Sequence, residues 1–229
     1  MSNFYKYIKN SNERNHKNPL GHVYVSGIKL YIKDPLPEHI NFKESILFVI
    51  QKIPTNFYKN VHTISIGNFN FLRKREVDAI YREGTIYLSN AQDNNYDIMS
   101  DLIHEIAHAF EEEKFGHIYT DKSIEDEFIS KRKKMYEILL SNNLLSSYIK
   151  EKDFFNTKYD SKFDTFLYKE IGYEKLNNLI GNLFISPYAS TSLREYFANA
   201  FENFFINDMS TVKKISPSVY RKIINFLEF

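Results

Sequence analysis

The residues best suited to chemistry lie close together, in His104-Glu105-Ile106-Ala107-His108. On a helix, side chains four positions apart stand one above the other on the same face. Both imidazoles can therefore reach one metal ion, and for zinc the bonds would be about 2.0–2.1 Å long. Glu105 sits beside them, where it can take a proton from a water that the metal activates. The surrounding segment suits a helix. Ile98, Leu102, Ile106 and Ala109 form an apolar stripe, and Asp101, His104, Glu105, His108 and Glu111 form a separate polar one. Two histidines and an acid on such a helix are costly to bury without a partner. The chain has no cysteine, which excludes thiolate zinc sites, a cysteine nucleophile and a disulfide framework together.

A catalytic zinc site takes three protein ligands and leaves one position for water. A histidine six residues beyond His108 would supply the third, but position 114 is Lys. Peptide deformylases complete the same helix motif with a cysteine, which this chain lacks. A carboxylate remains, with two candidates. Glu195 lies in Ser192-Leu-Arg-Glu-Tyr-Phe-Ala-Asn-Ala-Phe201, where Leu193, Phe197, Ala200, Phe201 and Phe204 read as a buried helix face and Glu195, Asn199 and Glu202 as a polar one. Its plainer reading is the glutamate of a capping box begun by Ser192. Glu127 follows His108 with 18 residues between them, a spacing also found in zinc aminopeptidases. Its plainer reading is a solvated acid of the run Glu125-Asp-Glu127. From residue types alone, both stay open.

His104-Glu-Ile-Ala-His-Ala-Phe-Glu111, together with Tyr188 seven residues before the Glu195 of Glu-Tyr-Phe-Ala-Asn-Ala-Phe, resembles the catalytic domain of anthrax lethal factor and its relatives, the Pro-Pro endopeptidases among them. The likeness covers roughly residues 97 to 229, and the Ile86-Tyr87-Leu88 strand fits less specifically. It implies a compact zincin fold of gluzincin type, one zinc per chain, Glu195 as third ligand and Tyr188 as a catalytic group. A tyrosine in that place can donate a hydrogen bond to the oxyanion. The chain departs from the family in three ways. Asn199 stands where the family has a glutamate that orients a zinc histidine; its carbonyl can accept the same bond without the charge. The gap from His108 to Glu195 is longer, implying an extra helical insertion near 140–180. Many relatives are secreted, whereas Met1 to Lys17 is polar and carries no signal-peptide run.

These side chains need a scaffold, and 229 residues with 43% hydrophobic and 16% aromatic content can build a packed core. The 30 Lys and Arg nearly balance the 29 Asp and Glu, which argues against a dedicated nucleic-acid binder. No window has the apolar length of a membrane span. As written, the chain is expected to be cytoplasmic, with export by another route left open. Residues 1–18 read as a mobile lead-in, and 19–229 as a single metallopeptidase domain, strand-rich over 19–92 and helical over 93–229. Alternation predicts one strand from His22 to Ile32 and another from Val61 to Ile66. Asn41-Phe-Lys-Glu44 has capping-box form and opens a helix whose face is Ile46, Leu47, Val49 and Ile50. Val77 to Tyr81 and Thr85 to Leu88 flank Arg82-Glu83-Gly84 as a hairpin. Helices are expected over Asp97–Glu113, Glu125–Leu140, Lys162–Leu183 (one or two), Ser192–Phe205 and Ser218–Phe226. A small N-terminal sheet followed by helices is an α+β pattern.

Other features suggest no chemistry. Lys131-Arg-Lys-Lys134 and Arg73-Lys-Arg75 read as solvated faces, and Phe201 to Phe205 as core. His16, His22, His39, His62 and His117 lack ligand spacing. The expected function is zinc-dependent endoproteolysis of an extended protein or peptide, docked along the edge of the Thr85–Leu88 strand. The alternatives are an aminopeptidase-like enzyme using Glu127, and a zincin-fold module that binds a protein without cutting it.

Overall fold

The computed structural model describes residues 23–228, so the expected lead-in over 1–18 and His22 lie outside the described residues. The fold is α+β, with a mixed sheet in the N-terminal part followed by helices. The described residues divide into two compact units, the first ending at Glu113 and the second beginning at Lys114.

The first unit holds strands β1 (Val23–Val25), β2 (Ile28–Ile32), β3 (Thr63–Gly67), β4 (Ala79–Arg82) and β5 (Thr85–Ser89) in the spatial order β1-β2-β3-β5-β4. The single strand expected over His22–Ile32 is instead a hairpin. Ser26 (φ 51°) and Gly27 (φ 84°) take left-handed conformations and fold β1 back on β2, pairing Val25 with Ile28. Helix α1 (Phe42–Lys52) carries the chain from β2 to a parallel β3, and α2 (Asn70–Arg75) precedes β4. Asn41 caps α1 as expected, its Oδ1 accepting from the Glu44 amide at 3.3 Å, but the reciprocal half of the box does not form: the Asn41 amide donates to Asn95 Oδ1 at 2.7 Å, and the Glu44 carboxylate accepts from Asn41 Nδ2 at 3.0 Å instead. The β4–β5 hairpin also forms, turning at Glu83 (φ 46°) and Gly84 (φ 78°). Period-two burial puts Ile28, Leu30, Ile32, Ile64, Ile66, Ile86 and Leu88 in the core. Helix α3 (Asn95–Tyr119) contributes Ile98, Leu102, Ile106 and Phe110, the last against Phe57 with ring centroids 4.7 Å apart.

Helix α3 departs from helical geometry at Lys114 (φ −106°, ψ 17°), next to the division between the units. The second unit contains α4 (Ser123–Ser141), a 3-10 turn over Glu151–Phe155, α5 (Ser161–Thr165), a π-helical turn over Phe166–Ile171 and α6 (Tyr173–Ile180). It continues with a 3-10 turn at Tyr188–Ser190, then α7 (Leu193–Ile206), α8 (Met209–Ile215) and α9 (Pro217–Leu227). Gly172 (φ 83°) ends the π-helical turn, so the segment expected over Lys162–Leu183 is broken into short pieces. Phe128, Met135, Phe154, Phe163, Phe166, Phe184, Phe197 and Phe201 fill this unit's core. Among the described residues, no helix is long and apolar enough to cross a membrane.

Candidate metal centre

His104 and His108 sit one turn apart on α3, with ring centroids 4.9 Å apart and planes at 79°. His108 is buried and His104 half-buried. Neighbouring carboxylates tune this helix face. Glu111 is 1% exposed, and its Oε2 lies 3.5 Å from His108 Nδ1. A carboxylate there favours the tautomer with the proton on Nδ1 and leaves the Nε2 lone pair for a ligand bond. Asp101, one turn before His104, accepts from Gln92 Nε2 at 3.1 Å. Burial, aided by the charges of Asp78 and Glu105, pushes its carboxyl up to about 7 against the opposing Gln92 bond and His104.

Glu105 is buried and fixed by the sheet: the Tyr81 amide of β4 donates to its Oε2 at 2.5 Å. The register explains why that amide is available. Asp78 O accepts from Ser89 N, so positions 78, 80 and 82 face β5 and the Tyr81 N–H points to the open edge. The docking edge expected at Thr85–Leu88 is therefore corrected. That strand is β5, paired on one side with β3 and on the other with β4, so it has no edge to offer. The sheet's edge strands are β1 and β4, and β4 lies beside a polar hollow lined by Tyr81, Arg82, Glu83, Thr85, Tyr87 and Glu112.

Glu195 occupies the third position of α7, where its amide donates to the N-cap Ser192 Oγ at 3.2 Å. His104, His108 and Glu195 each offer a ligand atom, and these atoms all lie within 4.8 Å of one another. Two imidazole nitrogens and a carboxylate oxygen are the donor set of a catalytic zinc, and tetrahedral bonds of about 2.0–2.2 Å would set such atoms roughly 3.3–3.6 Å apart. In donor type and proximity, the residues present fit that ion. Tyr188 stands half-buried at the head of the 3-10 turn leading into α7.

Glu127 sits in other company. Its Oε1 accepts from the Tyr196 hydroxyl at 2.6 Å and its Oε2 from the Ser218 amide at 2.9 Å. Burial and the Glu127 charge raise the Tyr196 phenol above its usual range, so it remains a donor. Asn199 is 8% exposed, but its Oδ1 has no hydrogen-bond partner among the described residues, and the carboxylate beside His108 belongs to Glu111. The sequence places Asp101 and Glu111 on the polar stripe of this helix without giving either a role, and it gives none to Tyr81. For Glu111 the available signal was its place three residues after His108 on one face. No protein-family model matches the chain, and no curated protein or solved structure matches it significantly.

Proposed function

We propose that the protein is a zinc-dependent metalloendopeptidase of the gluzincin type, similar to the lethal factor and Pro-Pro endopeptidase group. The observation that carries this reading is the convergence of His104, His108 and Glu195, with Glu105 adjacent on α3. When bound by these three residues, zinc supplies Lewis-acid activation of a water and of the scissile carbonyl. Glu105 accepts the proton that the attacking water loses, through the carboxylate that the Tyr81 amide holds in place. The same group then hands that proton to the departing amine. Tyr188 donates a hydrogen bond to the oxyanion that develops on the carbonyl. The substrate is an extended peptide that adds to the open edge of β4, pairing with the Ala79 N–H and the outward C=O groups, since the Tyr81 N–H is taken by Glu105.

The aminopeptidase alternative loses support because both carboxylate oxygens of Glu127 already serve as acceptors. The deciding experiment compares zinc stoichiometry and cleavage of a mixed peptide library for wild type, Glu195→Ala, Glu127→Ala and Glu105→Gln. The expected outcome is about one zinc in wild type and Glu127→Ala, little in Glu195→Ala, and full zinc without turnover in Glu105→Gln. Zinc lost only from Glu127→Ala would overturn the ligand set. A zinc-loaded wild type that cuts no peptide would favour a binding module on the same scaffold.

A further inference from the structure

The basic run Lys131-Arg-Lys-Lys134, expected to be solvated, is partly internal. Lys131 Nζ donates to the Leu183 and Ile215 carbonyls, and Arg132 is 1% exposed. The Arg132 guanidinium lies over the ring of Phe163, 4.0 Å from its centroid, with Phe128 and Phe154 at 5.4 and 5.7 Å. No described carboxylate forms a hydrogen bond or ion pair with it, and its Nε has no hydrogen-bond partner among the described residues. Burial pushes its pKa down to about 9, which still leaves it charged at neutral pH. The charges of Asp153 and Asp160 oppose that push only from a distance, and a buried cation held by carbonyls is an expensive way to fill space that methionine would fill more cheaply.

What the guanidinium supplies is geometry. Nη1 donates to the carbonyls of Ser190 at 2.6 Å and Thr191 at 3.4 Å, and Nη2 to that of Asp153 at 2.7 Å. The first two are the outgoing carbonyls of the 3-10 turn that begins at Tyr188, groups that a short helical turn cannot satisfy itself. The turn is tied internally as well: Ser190 Oγ donates to the Pro187 carbonyl, and Thr191 Oγ1 to that of Tyr188. The next residue, Ser192, caps α7 and receives the Glu195 amide. One planar fork thus grips the short link between the proposed oxyanion donor and the proposed third ligand.

We propose that Arg132 is a positioning residue that holds Tyr188 and Glu195 as one preorganised piece of the metal centre. This inference rests on the metallopeptidase reading. Its test measures zinc affinity by competition with a chromophoric chelator, beside urea unfolding midpoints, for wild type, His108→Ala, Arg132→Met, Arg132→Lys and Thr191→Val. The expected result is a zinc affinity about tenfold or more weaker in folded Arg132→Met, with recovery toward wild type in Arg132→Lys. On a peptide that wild type cleaves, kcat should fall with KM nearly unchanged. A purely structural role would lower the midpoint and leave the zinc affinity of the folded protein unmoved; that outcome overturns the proposal. Should Arg132→Met fail to fold, Thr191→Val carries the test through the lost Thr191–Tyr188 bond, and wild-type zinc affinity in that variant overturns the proposal equally. Wild type and His108→Ala binding zinc alike would instead sink the metal reading itself, and the positioning role with it.

Discussion

Glu111 and Glu127 show how much a carboxylate's function depends on what its oxygens face. Glu111 has its oxygen 3.5 Å from His108 Nδ1 and almost no contact with solvent. Replacing it with Gln keeps the shape and removes the charge that favours the Nδ1–H tautomer. Zinc affinity is therefore expected to fall about 10–100-fold with the circular dichroism spectrum unchanged, as chelator competition would show. Glu127 is a fastener, holding the Tyr196 hydroxyl and the Ser218 amide at the start of α9. Tyr196→Phe withdraws one donor from a half-buried carboxylate and is expected to cost about 1–3 kcal/mol in urea unfolding, with zinc stoichiometry intact. The histidine pair was legible because only its spacing and its neighbour Glu105 were needed. The role of Glu111 was not, since its spacing from His108 only places it on that face, and it takes burial to set it apart from Glu112 and Glu113 as the histidine's partner.

At the scale of elements, turn chemistry could be read but strand order could not. Glu83-Gly84 announced the β4–β5 hairpin, and the Asn41 N-cap announced α1. That β5 lies between β3 and β4 is a long-range property on which local pattern is silent, which is why the docking edge was misplaced by one strand. The correction is testable. The Ala79 N–H faces the open side of β4, so Ala79→Pro removes a docking donor while leaving the ladder to β5 whole. Peptide cleavage is expected to fall with zinc content and unfolding midpoint preserved; unchanged kcat/KM would dismiss β4 as the docking strand. Helix α3 offers a second test through Asp101, whose carboxyl is raised from 3.8 to about 7, chiefly by burial. A raised carboxyl favours the folded state fully below the unfolded pKa, and that contribution is lost as pH climbs from about 4 through 7. Zinc-free Asp101→Asn should accordingly lose part of this decline and exceed wild type in stability above pH 7, as urea midpoints at pH 5 and 8 in chelator would show.

At the scale of the molecule, strands first and helices after was visible in the order of periodicities, whereas the division next to Lys114 was not. The apolar period runs on through residue 110 and the chain remains helical to Tyr119, so the break exists only in the backbone angles of Lys114. The whole chain should nonetheless register zinc as a stabiliser, because the unfolded state lacks a formed His104, His108 and Glu195 group to hold it. Binding to the folded state alone adds RT ln(1 + [L]/Kd), about 2.7 kcal/mol at a free zinc concentration of roughly 100 Kd. Wild type should thus unfold at higher urea in buffered zinc than in chelator, and His108→Ala at the same urea in both. Glu127→Ala separates the two carboxylates cleanly: it should lower both midpoints, through the lost Tyr196 and Ser218 bonds, yet keep the difference between them. Glu195→Ala should abolish the difference, because its carboxylate is assigned to the metal. A Glu195→Ala protein that kept the full zinc shift would remove Glu195 from the ligand set, whatever its cleavage activity.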